Sequence, residues 1–302
     1  MYFNISTNQT KYKQMTIFEE IDKIHNKREL EESMTYLIQE ELGISNTVLN
    51  NSKLIINNIK LALVKTKSKP FSEDGLEYKT GLLPKNEYID LPDVEWRYFD
   101  FPNEDSLLKH VRNIAFSTKY NQLTDKLTVA IFAIKGVIED RTLYDSVAHE
   151  LEHRYQIEQS GDNLIRTDKS KTIYSNIISL KNTNNKVAIA IGDVLYASYK
   201  FEQDAFIHGA YEFMMQKNKE GIDPYVSYKE TDAYAVLLKL KYGLGLLSTI
   251  KKEDKNKISS FIKQTLDYNS LDDILTLGEK ALKRYSRKLA RMYSKVIKDT
   301  SV

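Results

Sequence analysis

Val147-Ala148-His149-Glu150-Leu151-Glu152-His153, followed by Arg154-Tyr155-Gln156, is the stretch on which the reading of this chain turns. Leu143, Val147, Leu151 and Tyr155 recur every four residues and predict a helix from about 142 to 159, stopped by Gly161. Residues four apart lie on one helix face, one turn apart. His149 and His153 can therefore each bring a ring nitrogen about 2.0–2.1 Å from one zinc-like ion. Glu150 flanks such an ion without having to ligate it and can reach a water on it. Ser146, His149, Glu150 and His153 share a face beside the apolar stripe, free to look into a cleft.

The flanks supply a scaffold. Val94, Trp96 and Tyr98 alternate with polar residues and predict a strand that Pro102 ends. Asn103 is placed to cap a helix with the stripe Leu107, Val111, Ile114, Ala115. Residues 126–134, KLTVAIFAI, are short, apolar and β-branched, hence a strand, broken by Gly136. Asp140 or Thr142 caps the H-E-x-x-H helix. The order is strand, helix, strand, helix. If the strand over 127–135 lies at a sheet edge, it could pair with an extended peptide. An internal strand is the alternative.

A catalytic site of this kind needs a third protein ligand and one open position. The next histidine after His153 is His208, too far along for the short spacing of a three-histidine site. The third ligand is expected to be Glu202, in Tyr199-Lys200-Phe201-Glu202-Gln203-Asp204-Ala205-Phe206. Its apolar neighbours predict burial, and a buried carboxylate needs a partner. Glu212 and Asp193 are the fallback ligands. Asp204 could orient an imidazole from behind. Tyr196, Tyr199, His208 and Tyr211 are candidates for a second donor to a developing oxyanion, although a structural role suits His208 better. His25 and His110 sit in unrelated predicted helices.

With these residues in view, the chain resembles the zincin superfamily, in its gluzincin form with a Glu third ligand. His149-Glu150-Leu151-Glu152-His153-Arg154-Tyr155-Gln156 is similar to the H-E-L-x-H-x-x-Q element of bacterial and phage zincins. Glu202-Gln203-Asp204-Ala205 is similar to the E-x-[DE]-A element of ImmA/IrrE-like peptidases. The resemblance covers roughly residues 93–218. It implies an α+β, zincin-like domain with a small sheet and an H-E-x-x-H helix, inside a predominantly helical chain. It also implies Zn²⁺ held by His149, His153 and Glu202, with Glu150 as general base in peptide-bond hydrolysis. The gap from His153 to Glu202 is longer than in the compact relatives. The E-x-x-x-D pattern is absent, because Phe206 stands four residues after Glu202. No helix-turn-helix module is evident, so a regulator role does not carry over. The competing reading is a virion-associated or other structural protein that keeps a zincin fold with little turnover.

Composition bounds the rest. The chain has 302 residues, 41% hydrophobic and 28% charged, which excludes wholesale disorder. It has no cysteine, so disulfides, thiolate metal sites and cysteine nucleophiles are excluded. Gly (11) and Pro (5) are scarce, which favours helices. No apolar run is long enough to span a membrane and no leader is visible, so the expected location is the cytoplasm, or a phage particle if the chain is phage-encoded. The Lys, Asn, Ile and Tyr bias suits an AT-rich bacterial or phage genome. The expected partner is a polypeptide substrate.

Three regions are expected: a helical extension and linker over 1–92, a catalytic core over 93–221 and a helical region over 222–302. A helix is predicted over 16–42, a helix or a strand near 60–64, and one long helix from about Asp193 to Gln216. Ser270 with Asp273 makes a capping-box signal for the last helix. Its stripe is Leu277, Ala281, Tyr285, Leu289, Met292 and Val296. The lysines and arginines of 280–298 read as a solvated face, with nucleic-acid binding the less favoured alternative.

Overall fold

The structure, a computed structural model, describes residues 44–70, 76–83, 91–110, 118–160 and 168–300. In chain order these form α1 (Asn46–Lys65), β1 (Lys69–Pro70), β2 (Glu77–Leu83), β3 (Asp93–Phe101), α2 (Glu104–His110), β4 (Lys119–Asn121), β5 (Lys126–Ile134) and β6 (Val137–Ile138). Then come α3 (Ser146–Ser160), α4 (Asp168–Lys181), α5 (Lys186–Ser198), α6 (Lys200–Lys219), α7 (Pro224–Lys229), α8 (Asp232–Ser248), α9 (Lys252–Leu266) and α10 (Leu271–Thr300). The architecture is α+β: many helices and one small mixed sheet. The helix predicted over 16–42 and the stripe residues Val111, Ile114 and Ala115 lie outside the described residues.

Two compact units emerge among the described residues, one from Gly43–Gly161 with Asp204–Asp232, the other from Asp162–Gln203 with Ala233–Val302. The expected boundary near residue 92 therefore falls inside a unit. The span 93–221 is shared between both. The division passes through α6, which runs unbroken across it.

In the sheet-bearing unit the strand order is β1-β2-β3-β5-β4, with β6 paired to β5. β3 and β5 are parallel, with Trp96 opposite Val129 and Phe99 opposite Phe132. The other pairings are antiparallel. β5 is thus an interior strand, buried along nearly its whole length, which is why it reads as an unbroken apolar run. The peptide-pairing edge considered for residues 127–135 does not exist there. Beyond β5 the edge is the short β4.

One sheet face buries Phe99, Phe101, Ala130 and Phe132 with Leu76 and Leu107. Gly81 on β2 lies under the Trp96 indole: a Cβ there would sit 2.6 Å from Cε2. The span 1–92, expected as a helical extension and linker, contributes β1 and β2 to this sheet. Residues 60–64 are helical: Ser45 caps α1, and Ile55, Ile56, Ile59 and Leu63 form its buried stripe.

The other unit packs α4, α5, α8, α9 and α10 around Ile177, Ile191, Val194, Leu240, Ile262 and Ile274. Ser270 and Asp273 exchange side-chain-to-backbone hydrogen bonds (3.2 and 3.1 Å), a reciprocal capping box at the start of α10. Ala281, Tyr285, Leu289, Met292 and Val296 are buried as patterned. Arg284 departs from the solvated basic face: its Nε donates to Gln203 Oε1 and its Nη2 to the Ser198 carbonyl, both at 2.7 Å.

The long helix expected from Asp193 to Gln216 is two helices. The chain breaks at Tyr199, which is extended (φ −68°, ψ 125°). Tertiary partners satisfy the carbonyls freed at the end of α5. Gln203 Nε2 donates to Ala197 O at 2.7 Å, and Arg284 takes Ser198 O.

Candidate metal centre

A π-turn over Arg141–Asp145 leads into α3. Neither expected cap acts as one. Asp140 pairs with Lys217, and Thr142 Oγ1 accepts from Phe132 N–H and donates to Glu139 O. Leu143, Val147 and Leu151 are fully buried and fix the rotation of the helix. That rotation turns His149 and His153 to one side, with their rings edge to face.

The two Nε2 atoms stand 3.2 Å apart. Ligand bonds of about 2.0–2.1 Å in a tetrahedron give an edge of roughly 3.3 Å, so the pair is spaced for one ion. Gln156 Nε2 donates to Glu152 Oε1 at 2.9 Å, which leaves Gln156 Oε1 to accept from His153 Nδ1 at 3.3 Å. A proton on His153 Nδ1 satisfies this contact and leaves the lone pair on Nε2, the arrangement a metal ligand needs.

Within the same unit His149 stacks on Phe206 of α6, with ring centroids 4.4 Å apart. Glu202 lies one turn earlier on that continuous helix, on the Phe206 face. One ligand atom each of His149, His153 and Glu202 falls within 4.8 Å of the others. Glu202 is buried, 2% exposed. Its Oε1 accepts from the Tyr174 hydroxyl at 2.6 Å and its Oε2 from the Tyr196 hydroxyl at 2.7 Å. Two imidazoles and a carboxylate are a hard-to-borderline donor set that fits a divalent cation. These three residues could hold a metal ion.

Glu150 occupies the neighbouring position on α3, half-buried. Its Oε2 accepts from the backbone N–H of Tyr120 on β4 at 2.8 Å. The strand is pinned there through Asp125, which accepts from the Tyr120 hydroxyl (2.9 Å) and from Nε of the buried Arg154 (2.9 Å).

The remaining candidates fall elsewhere. Asp204 does not join the cluster; its carbonyl accepts from His208 Nδ1 at 2.9 Å. His208 Nε2 accepts from Ser45 N–H at 2.9 Å and lies 3.3 Å from Glu152, so both nitrogens serve the packing of α1, α3 and α6. Tyr196 is engaged with Glu202 rather than aimed at a substrate. Tyr199 packs edge-on against Tyr174, and burial pushes its hydroxyl up to about 12. Tyr211 is buried on α6. The fallback ligands are separate: Glu212 faces Lys53 at 3.9 Å, and Asp193 lies in the field of Lys181 and Lys239.

Sequence reasoning missed Tyr174 and Tyr120, and gave Gln156 no role. Gln156 had a signal, lying three residues after His153 on the same face. Tyr174 had none: it is one of 20 tyrosines, 28 residues from its partner. No family model, curated protein or solved structure matches the chain on comparison with known proteins. Among the described residues no helix is long and apolar enough to cross a membrane.

Proposed function

We propose that the chain is a zinc-dependent metallopeptidase of zincin type, with His149, His153 and Glu202 as ligands and Glu150 as general base. The observation that carries this reading is the convergence of the two Nε2 atoms, 3.2 Å apart, with the buried Glu202 carboxylate, while Glu150 stands beside them unabsorbed by the ligand set. Zinc, when bound, supplies Lewis acidity, lowering the pKa of a water and polarising a carbonyl. Glu150 accepts the proton of the attacking water as the C–O bond forms, and delivers it to the amine nitrogen as the C–N bond breaks. His153 is held in the metal-binding tautomer by Gln156.

The antiparallel edge β4 is the surface on which an extended polypeptide would be paired, since its Tyr120 N–H points out of the sheet toward Glu150. Substrate binding there and the Glu150 contact draw on the same edge.

The test is metal analysis of the purified chain, wild type against His153→Ala, joined to a peptide-cleavage screen with and without a chelator. One equivalent of zinc in the wild type, lost in the variant, with chelator-sensitive cleavage, supports the reading. Bound zinc with no cleavage across unfolded proteins and peptide libraries would favour a structural or virion-associated protein that retains the site.

A further inference from the structure

We propose that Tyr174 and Tyr196 are positioning residues of the metal centre: their hydroxyls hold the Glu202 carboxylate by one oxygen each and set the orientation in which it meets the ion. This rests on the reading of His149, His153 and Glu202 as ligands. A carboxylate oxygen has two lone-pair directions. Here a phenol takes one direction on each oxygen, at 2.6 and 2.7 Å, and the second direction is the one a metal would use. Rotation about the terminal torsion of Glu202 breaks both bonds at once, so the carboxylate plane is fixed. Hydroxyl-to-carboxylate bonds of this length belong to the strong, charge-assisted class.

The chain break at Tyr199 makes the clamp. On an uninterrupted helix residues six apart point roughly 120° apart and lie about 9 Å apart along the axis, and Tyr196 could not reach Glu202. The extended Tyr199 redirects the chain, and Tyr196 and Glu202 meet across the break.

The phenols are themselves held. The Tyr174 ring packs edge-on against Tyr199 with centroids 5.5 Å apart, and tilted against Phe201 at 6.1 Å. Tyr196 lies beneath the Lys181 ammonium, 3.4 Å from its ring centroid. Gly192 admits the Lys181 stem: a Cβ there would sit 2.8 Å from Lys181 Cγ.

The experiment uses the full chain with Tyr174→Phe, Tyr196→Phe and Glu202→Gln, the two Phe variants keeping the rings. Zinc Kd is measured by competition with a chromophoric chelator, and the visible spectrum of the Co²⁺-loaded protein reports the coordination. Each Phe variant is expected to bind zinc about 10–100-fold more weakly and to change the cobalt band, as outer-shell partners of metal ligands do. Loss of packing alone would lower the unfolding temperature and leave the cobalt band as in the wild type. Unchanged or tighter zinc binding in both Phe variants, with an unchanged band, overturns the clamp while the Glu202→Gln loss keeps the metal-centre reading. A wild-type chain that binds neither zinc nor cobalt overturns the metal-centre reading and the clamp together.

Discussion

The backbone N–H of Tyr120 donates to the Glu150 carboxylate over 2.8 Å, tying the edge strand of the sheet to the helix that carries both imidazoles. Glu150 is thereby held beside the His pair by a contact that a Gln oxygen reproduces. Glu150→Gln is therefore expected to fold and to retain zinc. Its peptide hydrolysis should fall by 10²–10⁴, about 3–5 kcal/mol of transition-state stabilisation. Metal content and cleavage rate measured on the same preparation check this; a wild-type rate would remove Glu150 from the chemistry.

Gly209 of α6 lies against Asp145, the last residue of the π-turn before α3. A Cβ at 209 would sit 2.5 Å from the Asp145 carbonyl oxygen and closer still to its side chain. Asp145 is buried and accepts from Asp232 N–H at 2.9 Å, so it has little room to give. Gly209→Ala is expected to push α6 away from α3, costing about 1–3 kcal/mol or more of stability. Because α6 carries Phe206 and Glu202, zinc affinity should fall with it. Denaturant titration and a zinc competition assay measure the two effects.

The basic residues of α10 divide into two classes. Arg284 holds Gln203 and the Ser198 carbonyl, next to the helix break. Arg284→Met leaves the buried Gln203 amide and the half-buried Ser198 carbonyl without this donor, at a cost of about 1–3 kcal/mol. Lys280, Lys283 and Arg287 are exposed, and neutralising each should change stability by no more than about 0.5 kcal/mol. Chemical denaturation distinguishes the classes. If the triple surface variant instead lost salt-sensitive binding to DNA, the nucleic-acid reading of this helix would take over.

Burial lowers the Lys181 pKa to about 8 from an ordinary 10.5, with Asp193 acting in the opposite direction. Below pH 8 the ammonium is charged in both folded and unfolded chains, and the folded state bears the desolvation cost. Between about pH 8 and 10.5 the unfolded chain still binds the proton that the folded one has released, so this group makes stability rise with pH. Lys181→Met keeps the stem and removes the proton. The wild-type-minus-variant stability, from urea unfolding of metal-free protein, should climb across that window and be flat below it. A difference independent of pH would place the ammonium in water.

How much of this was legible in the sequence depends on how local each relation is. The pairing of His149 with His153 is a property of one helix, enforced by its own hydrogen bonds. The same holds for the Ser270–Asp273 box and the α10 stripe, which involve residues within a turn or two. β5 was legible as a strand but not as an interior one, since its position in the sheet is decided by β3 and β4, which pair along its two edges. The two strands within 66–92 were hidden by their Gly and Pro content, and Gly81 is there because Trp96 lies over it.

By itself the sequence determined that His149 and His153 share one face of α3, the strand–helix order around it and the identity of Glu202 as the carboxylate to watch. Only the tertiary structure decided that the chain breaks at Tyr199, and that Glu202 is aimed by Tyr174 and Tyr196. The break depends on Gln203 and on Arg284, 81 residues further along, supplying donors to carbonyls that an unbroken helix would have bonded internally. Helix propensity acts over a few residues and carries no trace of a donor supplied from 81 residues away. The Arg284 side chain that stabilises the break, and with it the placement of Glu202, arrives only when the helices pack.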